Sequence, residues 1–303
     1  MAPADSIAYP FRVGPFRHTM GLAPLILSEW IEPDENWAAD LAERARLLGE
    51  RHSEVFAALL EAEASSREVL GLLAEHLPLR FPDLYRRDGG TITCRPSGLT
   101  WNIIEPSIHP LDLAGRMVQE DLCLMQQSHK GEPYRLVGAS LCFPTRWRLS
   151  EKLGQSVNAI HGPVPAYDEQ LTAAMDRFFE RLSEDRPVWR ANWSLLDDPT
   201  LFQPSGHGRT GQDPTITAQN AGERLWLRSE RQTLRRLPRT RAVLFTIRVR
   251  VRPLNDLARR PEQAVLLAEN IRAMPETMRA YKSLQPFLGA ALAWLDHVHG
   301  RST

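Results

Sequence analysis

Long apolar runs are missing from this sequence. No stretch is long enough to cross a bilayer as a helix, so a membrane-spanning protein is not expected. The first ten residues hold no basic segment followed by an apolar one, which leaves no secretory signal and points to the cytoplasm. Cysteine is scarce. Cys94, Cys123 and Cys142 are odd in number and widely spaced, which favours reduced thiols over a disulfide framework. Neither sign of charge is in excess: 37 Lys+Arg face 37 Asp+Glu, so a nucleic-acid partner is not expected. Internal repeats and low-complexity tracts are also lacking.

What is present is 303 residues of ordinary globular composition, 43% apolar and 24% charged, enough for a substantial core. The beginning reads as helical. Trp37, Leu41, Ala45 and Leu48 recur at helical spacing, and Val55, Phe56, Leu59 and Leu60 continue the pattern. Ser65 and Glu68 have the spacing of a capping box ahead of Val69, Leu70, Leu72 and Leu73. Pro78, Pro82, Gly89 and Gly90 then punctuate the chain, suggesting a helical region over 1–90 packed on a second region over 91–303.

The second region reads mainly as strands. Val243, Phe245, Ile247, Val249 and Val251 alternate with Leu244, Thr246, Arg248, Arg250 and Arg252, the period of a half-buried antiparallel strand. Leu225 to Leu234, Tyr134 to Phe143 and Met117 to Met125 are further strand candidates. Leu171, Ala174, Met175, Phe178, Phe179 and Leu182 form an amphipathic helical stripe. Pro261 opens one late helix, and Phe287, Ala291, Trp294, Leu295 and Val298 stripe another. Pro204 to Glu223 is polar and reads as a long loop. The fold class is therefore α+β, a mainly antiparallel sheet with helices before, within and after it.

Two motifs are discounted. Gly206 to Gly211 spells G-x-G-x-x-G but lacks a preceding strand and a following helix. Asn192-Trp193-Ser194 is a glycosylation sequon without a secretory context.

The segment from Phe143 to Pro165 concentrates chemistry. It holds Trp147 and several cations, then His161 in Ile160-His161-Gly162-Pro163-Val164-Pro165. The glycine and prolines predict a rigid extended turn there rather than helix. A histidine on rigid backbone suits an axial metal ligand, and equally a ring bonded to nearby backbone. Arg190 to Ser194 and Arg228 to Pro238 are arginine-rich strands in which Arg228 and Glu230 share one face and Ser229, Arg231 and Thr233 the other. Such arginines suit carboxylate binding or a solvated, salt-bridged surface.

Val118 to Met125, Phe143 to Pro165, Arg186 to Ser194 and Glu230 to Thr240 with Ala242 to Arg248 after it form an ordered set, joined by Gly21-Leu22 and Tyr281-Lys282. Together they resemble the haem-dependent oxidative N-demethylase family, over roughly residues 20 to 297. The resemblance implies a PAS-like sheet binding haem b, with His161 as the axial ligand to iron. It implies an oxidoreductase that uses dioxygen to demethylate a small methylated amine such as dimethylamine, releasing formaldehyde. Arg190, Arg228, Arg231 and Trp147 are the implied cofactor contacts. Glu120, Asp121, Trp193, Glu230 and Trp147 are of the right type to meet an alkylammonium.

With no credible nucleotide motif, electrons would come from a separate reductase or ferredoxin-like partner. Cys142 as a thiolate ligand is a competing enzyme reading, and a haem-binding PAS-type sensor or carrier is the main non-enzymatic one. Arg241 departs from the family pattern, standing where a small turn residue is expected before Ala242.

Overall fold

The computed structural model describes residues 9–16, 19–165 and 169–300, with the side chains of 169–171 outside the description. Leu171 of the predicted stripe thus lies outside the described side chains. The architecture is the expected α+β. Among the described residues ten strands form two antiparallel sheets: β1 (Ala23–Pro24), β2 (Phe56–Ala58), β3 (Tyr85–Asp88), β4 (Thr91–Cys94), β5 (Thr100–Asn102), β6 (Asp121–Gln126), β7 (Arg135–Ser140), β8 (Val188–Leu196), β9 (Trp226–Arg236) and β10 (Val243–Pro253). The large sheet runs β1-β8-β9-β10-β6-β7-β2, and the small one β3-β4-β5. Both edge strands of the large sheet come from the chain before Gly89, while its centre is the β9–β10 hairpin.

The helices used below are α1 (Trp37–Glu50), α2 (Glu63–Arg80), α3 (Pro110–Gly115), α4 (Val157–His161), α5 (Glu169–Arg181), α6 (Pro261–Ala273), α7 (Glu276–Tyr281) and α8 (Leu288–Gly300). Among the described residues no helix is long and apolar enough to cross a membrane. On one face of the sheet, Leu122, Leu124 and Leu244 pack with Trp37 of α1, Leu73 and Leu77 of α2 and Leu111 of α3. On the other, Cys123, Met125, Leu234 and Val243 pack with Val157 of α4 and Phe179 of α5. A further cluster joins Trp193 and Leu195 of β8 to Leu267, Ile271, Trp294 and Leu295 of α6 and α8, including the predicted stripe. Gly222 permits this packing, since a Cβ there would lie 2.7 Å from the Trp294 ring.

Three local expectations are corrected. The Val55 to Leu60 stretch is not one continuous helix: a helical turn ends at Val55, Phe56 to Ala58 pair with β7, and Leu60, 97% exposed, opens a 3-10 turn. Pairing to an existing sheet edge outweighs the weak helical spacing. Ser65 is not an N-cap, because α2 starts two residues earlier at Glu63. Its hydroxyl donates to the Ala62 carbonyl, and Glu68 reaches a distant turn, accepting from the backbone of Arg239 and Thr240.

The third concerns β10, which is buried on both faces along most of its length: Leu244, Thr246 and Arg248 are as enclosed as Val243 and Val249. The chain between Trp30 and Asp40 covers the expected wet face. Arg248 meets Asp34 at 2.6 Å and Asp40 at 3.1 Å, while Arg250 meets Glu32 and Asp34.

Candidate functional site

Strand register assembles the site. Arg190 pairs with Gln232, Asn192 with Glu230 and Ser194 with Arg228, so these residues share one face of β8 and β9. Ser229, Arg231 and Thr233 lie on the other face, as the alternation predicts. Neither face is the solvated surface the sequence allowed: Arg228, Glu230 and Arg231 are all buried.

His161 stands beside the first face at the end of α4. The extended turn expected around it is corrected here to one helical turn followed by a stop. Ser156 caps that turn by accepting from the Ala159 amide at 3.1 Å, and Pro163, unable to donate, follows the last helical residue. His161 Nδ1 donates to the Val157 carbonyl at 2.7 Å, which fixes the tautomer and leaves the ring lone pair on Nε2. Burial pushes this imidazole below its ordinary range, and the charges of Arg190 and Lys152 add to the effect. Lys152 is itself held by the carbonyl of Ile160, the residue before His161. Trp147, Ile160, Met175 and Phe245 supply apolar surface in the same cluster.

Glu230 is the hub of the polar face. It accepts from Thr145 Oγ1 at 2.5 Å and from Gln232 Nε2 at 2.8 Å, with Asn192 Nδ2 at 3.5 Å. Beyond Trp189, β8 has no outer strand among the described residues, and the segment after α7 fills that place. There Lys282 Nζ donates to the Trp193 carbonyl at 2.6 Å and lies 5.1 Å from the centroid of the Trp193 ring. Burial pulls the Lys282 ammonium down to about 8, Arg190 adding to the fall and Glu230 opposing it. Tyr281, its neighbour, meets the His207 ring edge-on at 4.7 Å.

The remaining residues singled out from sequence do other work. Arg228 is spent on the chain around it: its donors reach Thr145 Oγ1 and the carbonyls of Phe143, Pro144, Thr200 and Leu201. Arg231, on the opposite face, holds the carbonyls of Glu29 and Trp30 and pairs with Glu32. Glu120 accepts from the Glu32 amide, also on that face. Asp121 is fully buried and binds Arg44 at 2.7 Å plus the amides of Cys142 and Phe143. The Trp193 side chain points into the C-terminal cluster against Phe11, although its carbonyl faces Lys282. Cys142 is enclosed, and burial raises its thiol to about 12, so it stays protonated and a poor metal ligand.

Arg190 differs from Arg228, whose three guanidinium nitrogens all donate. Its Nε is buried without a hydrogen-bond partner among the described residues, and burial weakens its hold on the charge while Glu230 supports it. A half-buried guanidinium with an unpartnered donor suits a bound carboxylate. The set thus fits a haem: an oriented neutral imidazole, apolar side chains beside it and a half-buried cation for a propionate.

Sequence reading found His161, Arg190, Glu230 and Trp147 for this region but passed over Thr145, Asn192, Gln232, His207 and Lys282 as site residues. Asn192 and His207 lay inside the two discounted motifs, while Thr145, Gln232 and Lys282 lay in stretches that carried the family resemblance without being singled out. The sequence family described as haem-dependent oxidative N-demethylase, alpha subunit-like, matches the chain over residues 21–292.

Proposed function

The chain belongs to the haem-dependent oxidative N-demethylase, alpha subunit-like family, and from this premise we propose that it is a haem-b monooxygenase removing a methyl group from a small methylated amine. The observation that carries this reading is that His161, its Nδ1 tied to Val157, stands near the half-buried Arg190, whose Nε has no hydrogen-bond partner among the described residues. His161 is the proposed iron ligand through Nε2, and Arg190 the partner of a propionate. Haem, when bound, supplies the activation of dioxygen, with electrons from a separate reductase or ferredoxin-like protein in the cytoplasm.

The chain's own contribution is orientation and charge. The Val157 carbonyl keeps His161 in one tautomer. Burial keeps the ring neutral and able to coordinate. Glu230, fixed by Thr145 and Gln232, places a carboxylate where an alkylammonium is held by charge and hydrogen bonding. The apolar cluster around Trp147 and Phe245 limits the access of water.

An absorption spectrum of the haem-reconstituted protein, oxidised and then reduced under carbon monoxide, tests this. The expected result is stoichiometric haem with imidazole-type carbonyl features, lost in His161→Ala. An unchanged Soret band in the variant would remove His161 as ligand. Wild-type protein that takes up no haem would end the enzyme reading, whereas haem without formaldehyde release from any methylated amine would leave a sensor or carrier.

A further inference from the structure

The chain has 34 arginines but only three lysines, Lys130, Lys152 and Lys282. Two of the three border the candidate site: Lys152 through the Ile160 carbonyl beside His161, and Lys282 through the Trp193 carbonyl beside Glu230. Elsewhere this chain meets nearly every need for positive charge with arginine, including the buried ion pairs at Arg44 and Arg248. A guanidinium does not lose its proton in a protein, whereas an amine does so readily when desolvated. A lysine among so many arginines therefore marks a place where a neutral amine has a use.

We propose that Lys282 is a carbonyl-capturing amine that holds a small aldehyde at the site as a reversible imine. The geometry favours it. The Trp193 carbonyl and Asn192 Oδ1, at 2.6 and 3.4 Å, accept two of the three protons of the ammonium and anchor the nitrogen. The Glu230 carboxylate and the Arg190 guanidinium are the charged groups that bear on it. Desolvation lowers the cost of losing the third proton, which frees a lone pair. That lone pair adds to the aldehyde carbon, and the carbonyl oxygen takes up the proton that nitrogen loses, giving a carbinolamine. With one further proton from solvent the carbinolamine loses water and leaves a protonated imine. Addition of water reverses each step, so the aldehyde is released intact and no oxidant is consumed. The identity of the aldehyde rests on the proposed function, whose chemistry yields formaldehyde inside this site.

The test uses dilute formaldehyde with sodium cyanoborohydride, which reduces a lysine imine to methyl-lysine, on the whole chain near neutral pH. Peptide mass mapping then gives the methylation rate at each lysine, with solvent-exposed Lys130 as the internal reference. Lys282 is expected to react tens of times faster than Lys130, in keeping with an amine ionising near 8 against an ordinary lysine at about 10.4. Its rate should level off above that pH while the rate at Lys130 still climbs. Methylation of Lys282 no faster than of Lys130 overturns the inference. Because added formaldehyde needs neither haem nor turnover, fast labelling in protein that binds no haem would retire the demethylase reading and keep the amine.

Discussion

Asp121 shows how much structure one carboxylate can carry. Its oxygens tie α1 to β6 through Arg44 and close the turn after β7 through the amides of Cys142 and Phe143. All of this happens out of water, so the pair survives only because every oxygen is satisfied. Asp121→Ala leaves Arg44 charged and alone, with only the Gly115 carbonyl and a long contact to Ser140 remaining. The expected loss is about 3–5 kcal/mol in urea unfolding. A loss below about 1 kcal/mol would mean that water reaches Arg44 and that the pair is not truly buried.

The residue type was legible in the sequence, and so was the need for a partner. Which partner it has was not: Arg44 stands 77 positions away, and nothing local distinguishes a carboxylate facing a guanidinium from one facing a substrate. Glu120 and Arg231 hold the Glu32 amide and the Glu29 and Trp30 carbonyls on the opposite face for the same reason, and His161 stands in one helical turn where its glycine and prolines suggested an extended one.

At the scale of elements, periodicity identified β10, α1, α5 and α8, because each presents an apolar face to a core, and Pro261 marked the start of α6. It misjudged the opposite face of β10, since arginines at alternate positions look solvated until Asp34 and Asp40 are folded over them. The Ser65 and Glu68 pattern failed in an instructive way. Glu68 clamps the β9–β10 connection from outside, accepting at 2.7 Å from Arg239 N, 2.8 Å from Thr240 N and 2.6 Å from Thr240 Oγ1. That connection also contains Arg241 at φ 63°, a left-handed position that suits the small residue expected there.

The central hairpin is thus closed by a glutamate from α2 rather than by favourable turn residues. Glu68→Ala strips two backbone amides of their acceptor and should cost about 1–3 kcal/mol. The amides of Arg239 and Thr240 should also lose hydrogen-exchange protection before the strands do. If those two amides exchange at wild-type rates in the variant, the turn holds itself and the clamp is incidental.

For the molecule as a whole, balanced charge means that its response to mild acid is set by particular buried groups rather than by net repulsion. His76 is the clearest of them. On α2 it lies edge-on to Trp30 at 5.3 Å and near Phe81 at 6.1 Å, and its Nε2 has no partner among the described residues. Burial, with Arg235 and Arg80 nearby, pulls its pKa from 6.5 to about 4. The sign follows from which state takes up the proton. Below 6.5 the unfolded chain protonates this ring and the folded chain does not, so stability present at neutral pH drains away as pH falls toward 4.

The ceiling for that span is about 3.4 kcal/mol, and the partial exposure of the ring reduces it to roughly 2 kcal/mol. His161, lowered in the same direction, contributes with the same sign. Urea midpoints taken between neutral pH and about pH 4 should therefore fall steadily in the wild type, and less steeply in His76→Leu, which keeps the packing but has no proton to gain. Parallel profiles for the two proteins would place the acid sensitivity elsewhere, leaving His161 and the arginine-paired carboxylate of Asp34, whose pKa values are both lowered, as its source.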